Sequence, residues 1–80
     1  MDTLNEFINK LKTEFGEDYD VSGIDEKTKI TEIDWWSSMH ALIIIALIDS
    51  EYDVIIEPEE LKNAQTVEDL YSIIAEKING

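Results

Sequence analysis

The sequence predicts a small all-α protein, a four-helix bundle with three longer helices, a short third helix and a long loop between the first two. Apolar residues recur at helical spacing near both ends of the chain, and one continuous apolar run fills its middle. Residues typical of helix caps precede these segments. Eighty residues suffice for a single modest core, so we assign residues 1–80 to one domain.

The first helix is predicted from about Thr3 to Phe15. Thr3 and Glu6 form the Thr-x-x-Glu pattern of a capping box. Gly16 follows the last apolar position, where we expect a left-handed turn to end the helix. One face of this helix carries a regular apolar stripe, which consists of Leu4, Phe7, Ile8, Leu11 and Phe15.

Residues 17–34 lack a sustained period and predict an ordered loop that places a few apolar side chains in the core. Within this loop, the segment Asp18–Gly23 has oxygen-bearing side chains and a glycine at the spacing of an EF-hand calcium loop. The position that should hold a bidentate glutamate is Lys29, however, and no helical stripe follows it. We therefore predict a solvated acidic turn and no metal site.

The second helix is predicted from Ser38 to about Tyr52, around the continuous apolar run Ala41–Ile48. Three consecutive isoleucines in this run favour a strand, because β-branched side chains are stiff at χ1. The serine start, the two alanines and the length of the segment favour a helix. Such a helix is apolar nearly all round, so we expect it at the centre of the bundle or with one apolar side facing a partner.

The last two helices follow a short apolar link. Pro58 suits the first turn of a helix, where its missing N–H costs nothing, and few residues remain before the next boundary. The third helix is therefore short. Thr66 caps the fourth helix, with Asp69 three residues later in a variant of the capping box. Its apolar stripe consists of Val67, Leu70, Tyr71, Ile74 and Ile78.

The composition limits the partners of this protein. Nineteen acidic residues against six basic ones give a formal net charge of −13, which repels nucleic acid and anionic membranes and favours basic partners. There is no cysteine, and the eight-residue apolar run is far shorter than the roughly 20 residues that span a bilayer. The segment Met1–Glu6 lacks the pattern of a signal peptide. We expect a cytoplasmic monomer that neither binds nucleic acid nor inserts into a membrane.

The start of the second helix carries the side chains with chemical potential. Ser38 and His40 point about 200° apart on a helix, which excludes His40 as a base for Ser38 and makes it a polar residue of the first turn. One of Ser37 and Ser38 is expected to cap the helix, while the other stands at the positive end of its dipole, a favourable place for a phosphate ester. The adjacent Trp35 and Trp36 either pack in the core or contact a partner.

With these features the whole chain resembles the acyl carrier protein family, a group of small acidic four-helix bundles with a long first loop. In that family an Asp-Ser-Leu motif begins the second helix, and Ser37-Ser38-Met39 stands in its place here. Counting back from Tyr52 without a gap puts Ser38 on the family's modified serine. Further matching segments are Ala46-Leu47-Ile48, Glu51-Tyr52-Asp53, Ile56, Lys62-Asn63-Ala64 and Thr66-Val67-Glu68-Asp69-Leu70.

Three departures from the family pattern indicate a specialised carrier with dedicated partners. Ser37 replaces the usual acidic residue before the modified serine, and Trp35-Trp36 replaces a frequent glycine. His40 and Ile43 occupy part of the face that the family usually fills with acids, although later acids such as Asp49 and Glu59 remain.

The resemblance implies a non-catalytic carrier that holds acyl groups as thioesters on a 4′-phosphopantetheine arm attached to Ser38. Such carriers serve fatty-acid, polyketide or related biosynthesis. Implied partners are a phosphopantetheinyl transferase, an acyl-loading enzyme, and enzymes of the ketosynthase or acyltransferase type. The acyl cleft is predicted to be lined by Met39, Leu42, Ile45, Ile48, Ile56, Leu61 and Ala64. Partner recognition is assigned to Trp36, His40, Ile43, Asp49 and Glu59. The alternative is an unmodified helical interaction module that uses the surface of Trp35, Trp36 and Ile43.

Overall fold

A computed structural model describes residues 3–79 of the chain. These residues form four α-helices and no β-strand, apart from one isolated antiparallel bridge between Lys29 and Thr66. The predicted all-α architecture, with a short third helix and a long first loop, is confirmed. The helices are α1 (Leu4–Phe15), α2 (Ser38–Tyr52), α3 (Pro58–Asn63) and α4 (Val67–Asn79). None of them is both long enough and apolar enough to cross a membrane.

Helix α1 begins at the predicted capping box but does not end as expected. The Thr3 hydroxyl accepts from the Glu6 N–H at 3.2 Å, while a Glu6 carboxylate oxygen accepts from the Thr3 N–H at 3.1 Å. Gly16 has φ −67° and ψ −21°, so the expected left-handed turn is wrong. The chain instead makes a further right-handed turn, in which the Asp18 and Tyr19 N–H groups donate to the Phe15 carbonyl.

The core lies between α1, α2 and α4, because each of these helices contributes large side chains that are removed from solvent. Phe7 of α1, Ile48 of α2, and Leu70 and Ile74 of α4 are completely buried. Helix α3 adds Leu61. Burying a side chain of this size contributes about 1.5–3 kcal/mol, so these residues supply much of the drive to fold.

The loop between α1 and α2 is held against the start of α4. The Ile30 N–H donates to the Gln65 carbonyl at 3.0 Å, and the Val67 N–H donates to the Thr28 carbonyl at 3.1 Å. Ile24 and Ile30 from this loop are buried in the core. The predicted ordered loop is therefore confirmed. The radius of gyration is 11.5 Å, close to the ~11.6 Å expected for a compact chain of this length.

Candidate functional site

The N-terminus of α2 presents two adjacent serines in different roles. Ser37 is the N-cap residue, with extended backbone angles of φ −148° and ψ 175°. Its N–H donates to Nδ1 of His40 at 3.0 Å, and its Oγ lies 2.8 Å from the same ring nitrogen. This is a capping box with histidine at the third helical position, where glutamate or glutamine is usual.

Ser38 is the first residue of α2 and is exposed to solvent. Within residues 3–79 its hydroxyl forms no hydrogen bond. The first backbone N–H groups of a helix lack intrahelical acceptors and carry a partial positive charge, so an anion attached to this hydroxyl would be stabilised. Of the two serines, Ser38 is therefore the one whose oxygen is both accessible and unengaged.

His40 is buried, with only 3% of its surface exposed. Its predicted contact with a partner is therefore wrong. The ring packs among four aromatic side chains: the centroid distances are 5.7 Å to Phe15, 4.9 Å to Tyr19, 5.1 Å to Trp35 and 6.0 Å to Trp36. These rings are edge-on to His40 except Trp36, which is stacked. Nε2 lies inside this aromatic cluster with no hydrogen-bond partner among the described residues.

The two tryptophans belong to this cluster, and both are half-buried. Trp35 is stacked on Tyr19 at a centroid distance of 4.6 Å, and its Nε1–H donates to the Asp20 carbonyl at 3.1 Å. Trp36 is half-buried against the core. Both residues thus have the packing role that was one of their two expected roles. A contact between Trp36 and a partner stays a prediction.

An apolar cavity of about 430 Å³ opens beside Ser38, between the start of α2, α3 and the preceding loop. Three of the predicted cleft residues line it, namely Leu42, Ile45 and Leu61. Its other walls come from Ile30, Thr31, Trp36, Ser37, Ser38, Ala41, Pro58 and Lys62. A cavity of this volume and lining is of the kind that takes small apolar ligands.

Four predicted cleft residues do not line this cavity. Ile48, Ile56 and Ala64 are buried in the hydrophobic core, where neighbouring side chains already cover them. Met39 points outward and is 57% exposed. The predicted cleft is therefore wrong at these positions, because the cavity lies closer to the end of the loop and meets the core at Ile30 and Leu61 instead.

The exposed face of α2 differs from the predicted one. Met39 and Leu42, three residues apart and thus on one face, are 57% and 62% exposed. Ile43 is half-buried and packs against the core, so only part of its side chain is exposed, and its contact with a partner stays a prediction. Asp49 and Glu59 are exposed, as their predicted role in partner recognition requires. That role itself stays a prediction.

A second cavity, of about 460 Å³, lies on the acidic loop around Asp20 and Trp35. Asp20 accepts hydrogen bonds from the side chain and the N–H of Ser22, and these bonds lower the pKa of its carboxyl group. Asp20 thus closes a turn of the loop. Among residues 3–79 there is no group of three or more His, Cys, Asp or Glu side chains placed to hold a metal ion. Of these two cavities, only the apolar one is lined by Ser38, whose hydroxyl is free of hydrogen bonds within residues 3–79.

No family model, curated protein or solved structure matches this chain.

Sequence reasoning missed the pairing of Ser37 with His40. The comparison of Ser38 with His40, two residues apart, correctly separated those side chains but left the three-residue spacing from Ser37 unexamined. Residues at the N-cap and third helical positions face each other, and the Ser-x-x-His pattern has the spacing of a capping box. This three-residue spacing is the sequence feature from which the contact between Ser37 and His40 could have been predicted.

Proposed function

We propose that this protein is an acyl carrier of the acyl carrier protein type, with Ser38 as the attachment site of a 4′-phosphopantetheine arm. The observation that carries the proposal is the free, exposed Ser38 hydroxyl at the start of a 15-residue helix, in the wall of an apolar cavity. The four-helix architecture with a long first loop also supports it.

The residues at this site fit such a group. Its phosphate would be joined to Ser38 Oγ beside the unsatisfied N–H groups of the first turn, which favour negative charge. When bound, the arm supplies a thiol that holds an acyl group as a thioester. The chain supplies apolar cover for that acyl group through Leu42, Ile45 and Leu61, which line the adjacent cavity.

Met39 and Leu42 form the proposed contact with the enzymes that modify and use the carrier. Both are large apolar side chains exposed within one turn of Ser38, so an enzyme that reaches Ser38 also meets them. Acidic residues, including Asp49 and Glu59, are exposed around this face. The complementary enzyme surface is therefore an apolar depression with a basic rim.

A phosphopantetheinyl transferase with coenzyme A tests this function. We expect mass spectrometry to find one arm per wild-type chain, on Ser38. Ser38→Ala should abolish attachment at position 38, leaving at most a slow reaction at Ser37, and should leave the fold intact, because this exposed hydroxyl makes no hydrogen bond within residues 3–79. Ser37→Ala should still be modified at Ser38. Attachment that survives Ser38→Ala and is lost in Ser37→Ala would place the site one residue earlier.

The alternative is an unmodified interaction module. The exposed Met39 and Leu42 side chains favour it, whereas Trp35, Trp36 and Ile43 are each partly covered by the core. If the wild-type chain purified from cells that express a transferase carries no arm, this alternative replaces the carrier.

A further inference from the structure

The two serines at the start of α2 are neighbours, yet only one hydroxyl is held by the protein. Ser37 Oγ lies 2.8 Å from Nδ1 of His40, whereas the Ser38 hydroxyl makes no hydrogen bond within residues 3–79. Both residues are exposed and both line the apolar cavity, so accessibility alone does not distinguish them. An enzyme that delivers a group to this terminus therefore meets two chemically equivalent serines, and the contact with His40 is what separates them.

The direction of the hydrogen bonds fixes the form of the His40 ring. The Ser37 N–H donates to Nδ1 at 3.0 Å, so Nδ1 is unprotonated and the neutral ring carries its proton on Nε2. The hydroxyl of Ser37, at 2.8 Å from the same nitrogen, must then donate its proton to Nδ1. If Nδ1 took up a proton, its N–H would point at the Ser37 N–H, and two donors cannot form a hydrogen bond with each other. The ring consequently holds the Ser37 hydroxyl, and proton transfer to Nδ1 would be disfavoured because it would sacrifice the hydrogen bond from the Ser37 N–H.

The ring cannot readily turn away from Ser37. It is 3% exposed and is surrounded by Phe15 at the end of α1, Tyr19 and Trp35 of the following loop, and Trp36. Trp35 is itself fixed by its hydrogen bond to the Asp20 carbonyl. A close-packed aromatic cluster resists rotation of a member because rotation would open voids on one side and clashes on the other. His40 therefore presents a fixed acceptor.

We propose that His40 is a specificity-determining residue, which restricts attachment to Ser38 by holding the hydroxyl of Ser37. This inference rests on the proposed carrier function. It assigns a role to the departure of this chain from the Asp-Ser pattern, because a serine before the modified serine introduces a competing hydroxyl that aspartate would not.

Ser38→Ala variants test the proposal, because they leave Ser37 as the only serine at the terminus. Three proteins are compared: the single variant Ser38→Ala, the double variant Ser38→Ala with His40→Leu, and the double variant Ser38→Ala with His40→Gln. Leucine keeps an apolar side chain among the aromatic rings but has no acceptor. Glutamine is a usual residue at this position of a capping box and restores an acceptor for Ser37. Each protein is incubated with a phosphopantetheinyl transferase and coenzyme A, and the attachment site is mapped by tandem mass spectrometry.

We expect the initial rate of attachment to Ser37 to be about two- to tenfold higher with His40→Leu than with Ser38→Ala alone, the range that corresponds to release of one hydrogen bond. His40→Gln should return that rate to the level of Ser38→Ala. Equal attachment to Ser37 in all three proteins, including none in any, would overturn the proposal while leaving the carrier function intact. A wild-type protein that is not modified would overturn both.

A measurement on the unmodified wild-type protein keeps the proposal falsifiable if His40→Leu does not fold. Long-range ¹H–¹⁵N NMR distinguishes the two neutral tautomers of a histidine ring. We expect an unprotonated Nδ1 and a protonated Nε2. The opposite tautomer would overturn the proposal, because a protonated Nδ1 cannot accept from Ser37.

Discussion

Asp53 ends helix α2 through its backbone conformation, while its charge destabilises the same helix end. It has φ 55° and ψ 41°, a left-handed conformation that aspartate tolerates better than most residues do, and its N–H donates to the Asp49 carbonyl. The turn redirects the chain from α2 toward α3. Its carboxylate, however, stands at the negative end of the α2 dipole, together with Asp49 and Glu51.

Asp53→Asn should raise the free energy of unfolding by about 0.3–1 kcal/mol at low salt, because asparagine keeps the tolerance for positive φ and removes the charge. Urea denaturation measures the change. Asp53→Glu is the control: it keeps the charge but loses the short polar side chain suited to this conformation, so it should lower stability. If Asn and Glu have the same effect, the charge at this position is not the cause.

At the scale of the element, α2 divides its nearly uniform apolar surface into a buried side and an exposed side. Ile44 and Ile48 face the core, whereas Leu42 is 62% exposed one residue before the half-buried Ile43. Two adjacent apolar residues of similar size therefore have different environments. They form a matched pair for separating recognition from stability.

Leu42→Asp should leave stability within about 0.5 kcal/mol of wild type, because the residue is already in solvent. It should lower kcat/KM for the phosphopantetheinyl transferase about tenfold or more, since burying a leucine in an interface contributes about 1.5–3 kcal/mol. Ile43→Asp should instead destabilise the fold, by about 1–3 kcal/mol. Denaturation curves and steady-state kinetics measure the two effects. Unchanged kinetics for Leu42→Asp would show that this face is not part of the contact.

The bounds of the helices could be predicted from the sequence, but which side of α2 is buried and which is exposed could not. A helix start depends on residues that are close in sequence. Thr3 and Glu6 form hydrogen bonds with each other's backbone, and Pro58 has a fixed φ that suits the first turn after Glu57. The exposed side of α2 depends on where α1, α4 and the long loop pack. A helix that is apolar on every side carries no periodic signal for that choice, so the burial of His40 was not predicted.

The cavity shows the same limit. Residues near Ser38 in sequence, such as Leu42 and Ile45, could be assigned to it because they follow the helix. Trp36 and Ile30 were not assigned, because the path of the loop over α2 and α3 is a tertiary feature. Ile48 was placed in the cleft although its depth in the core depends on that same packing.

Helix α3 illustrates how a six-residue helix is maintained. It is too short to be stable alone, since isolated helices need about 12–15 residues. A capping box joins the Glu57 N–H to the Glu60 carboxylate at 3.0 Å, and Lys77 of α4 lies 3.0 Å from the same carboxylate. The hydrogen bond from the Glu57 backbone and the Lys77 ammonium lower the pKa of Glu60.

The lowered pKa of Glu60 fixes the sign of its contribution to stability with pH. The contribution is present above the pKa that Glu60 has in the unfolded chain, and it is lost as pH falls through the lower pKa of the folded state. Glu60→Gln keeps a capping acceptor but removes the charge. We expect the stability difference between wild type and this variant to shrink on acidification, as followed by thermal denaturation from neutral to acidic pH. A constant difference would mean that the charge of Glu60 contributes nothing.

At the scale of the whole molecule, repulsion among acids is the dominant electrostatic feature. Nineteen acidic residues and six basic ones share a body with extents of 34 × 24 × 22 Å. Lysines relieve this repulsion locally, as Lys10 does by pairing with Glu51 at 3.4 Å and lying over the Tyr52 ring at 5.0 Å. Such exposed pairs contribute little individually, about 0–1 kcal/mol, so the excess negative charge remains largely uncompensated.

Added salt should therefore raise the melting temperature at neutral pH. The Debye length is about 10 Å at 0.1 M ionic strength, shorter than every extent of the molecule, so most repulsion between opposite faces is screened by then. The gain should level off above that concentration. Calcium and magnesium at equal ionic strength should have similar effects, because residues 3–79 contain no side-chain cluster placed to hold a metal ion. Differential scanning calorimetry in sodium, magnesium and calcium chloride measures all three. A saturable shift specific to calcium at micromolar concentration would contradict this prediction and indicate a site in the loop Asp18–Lys29.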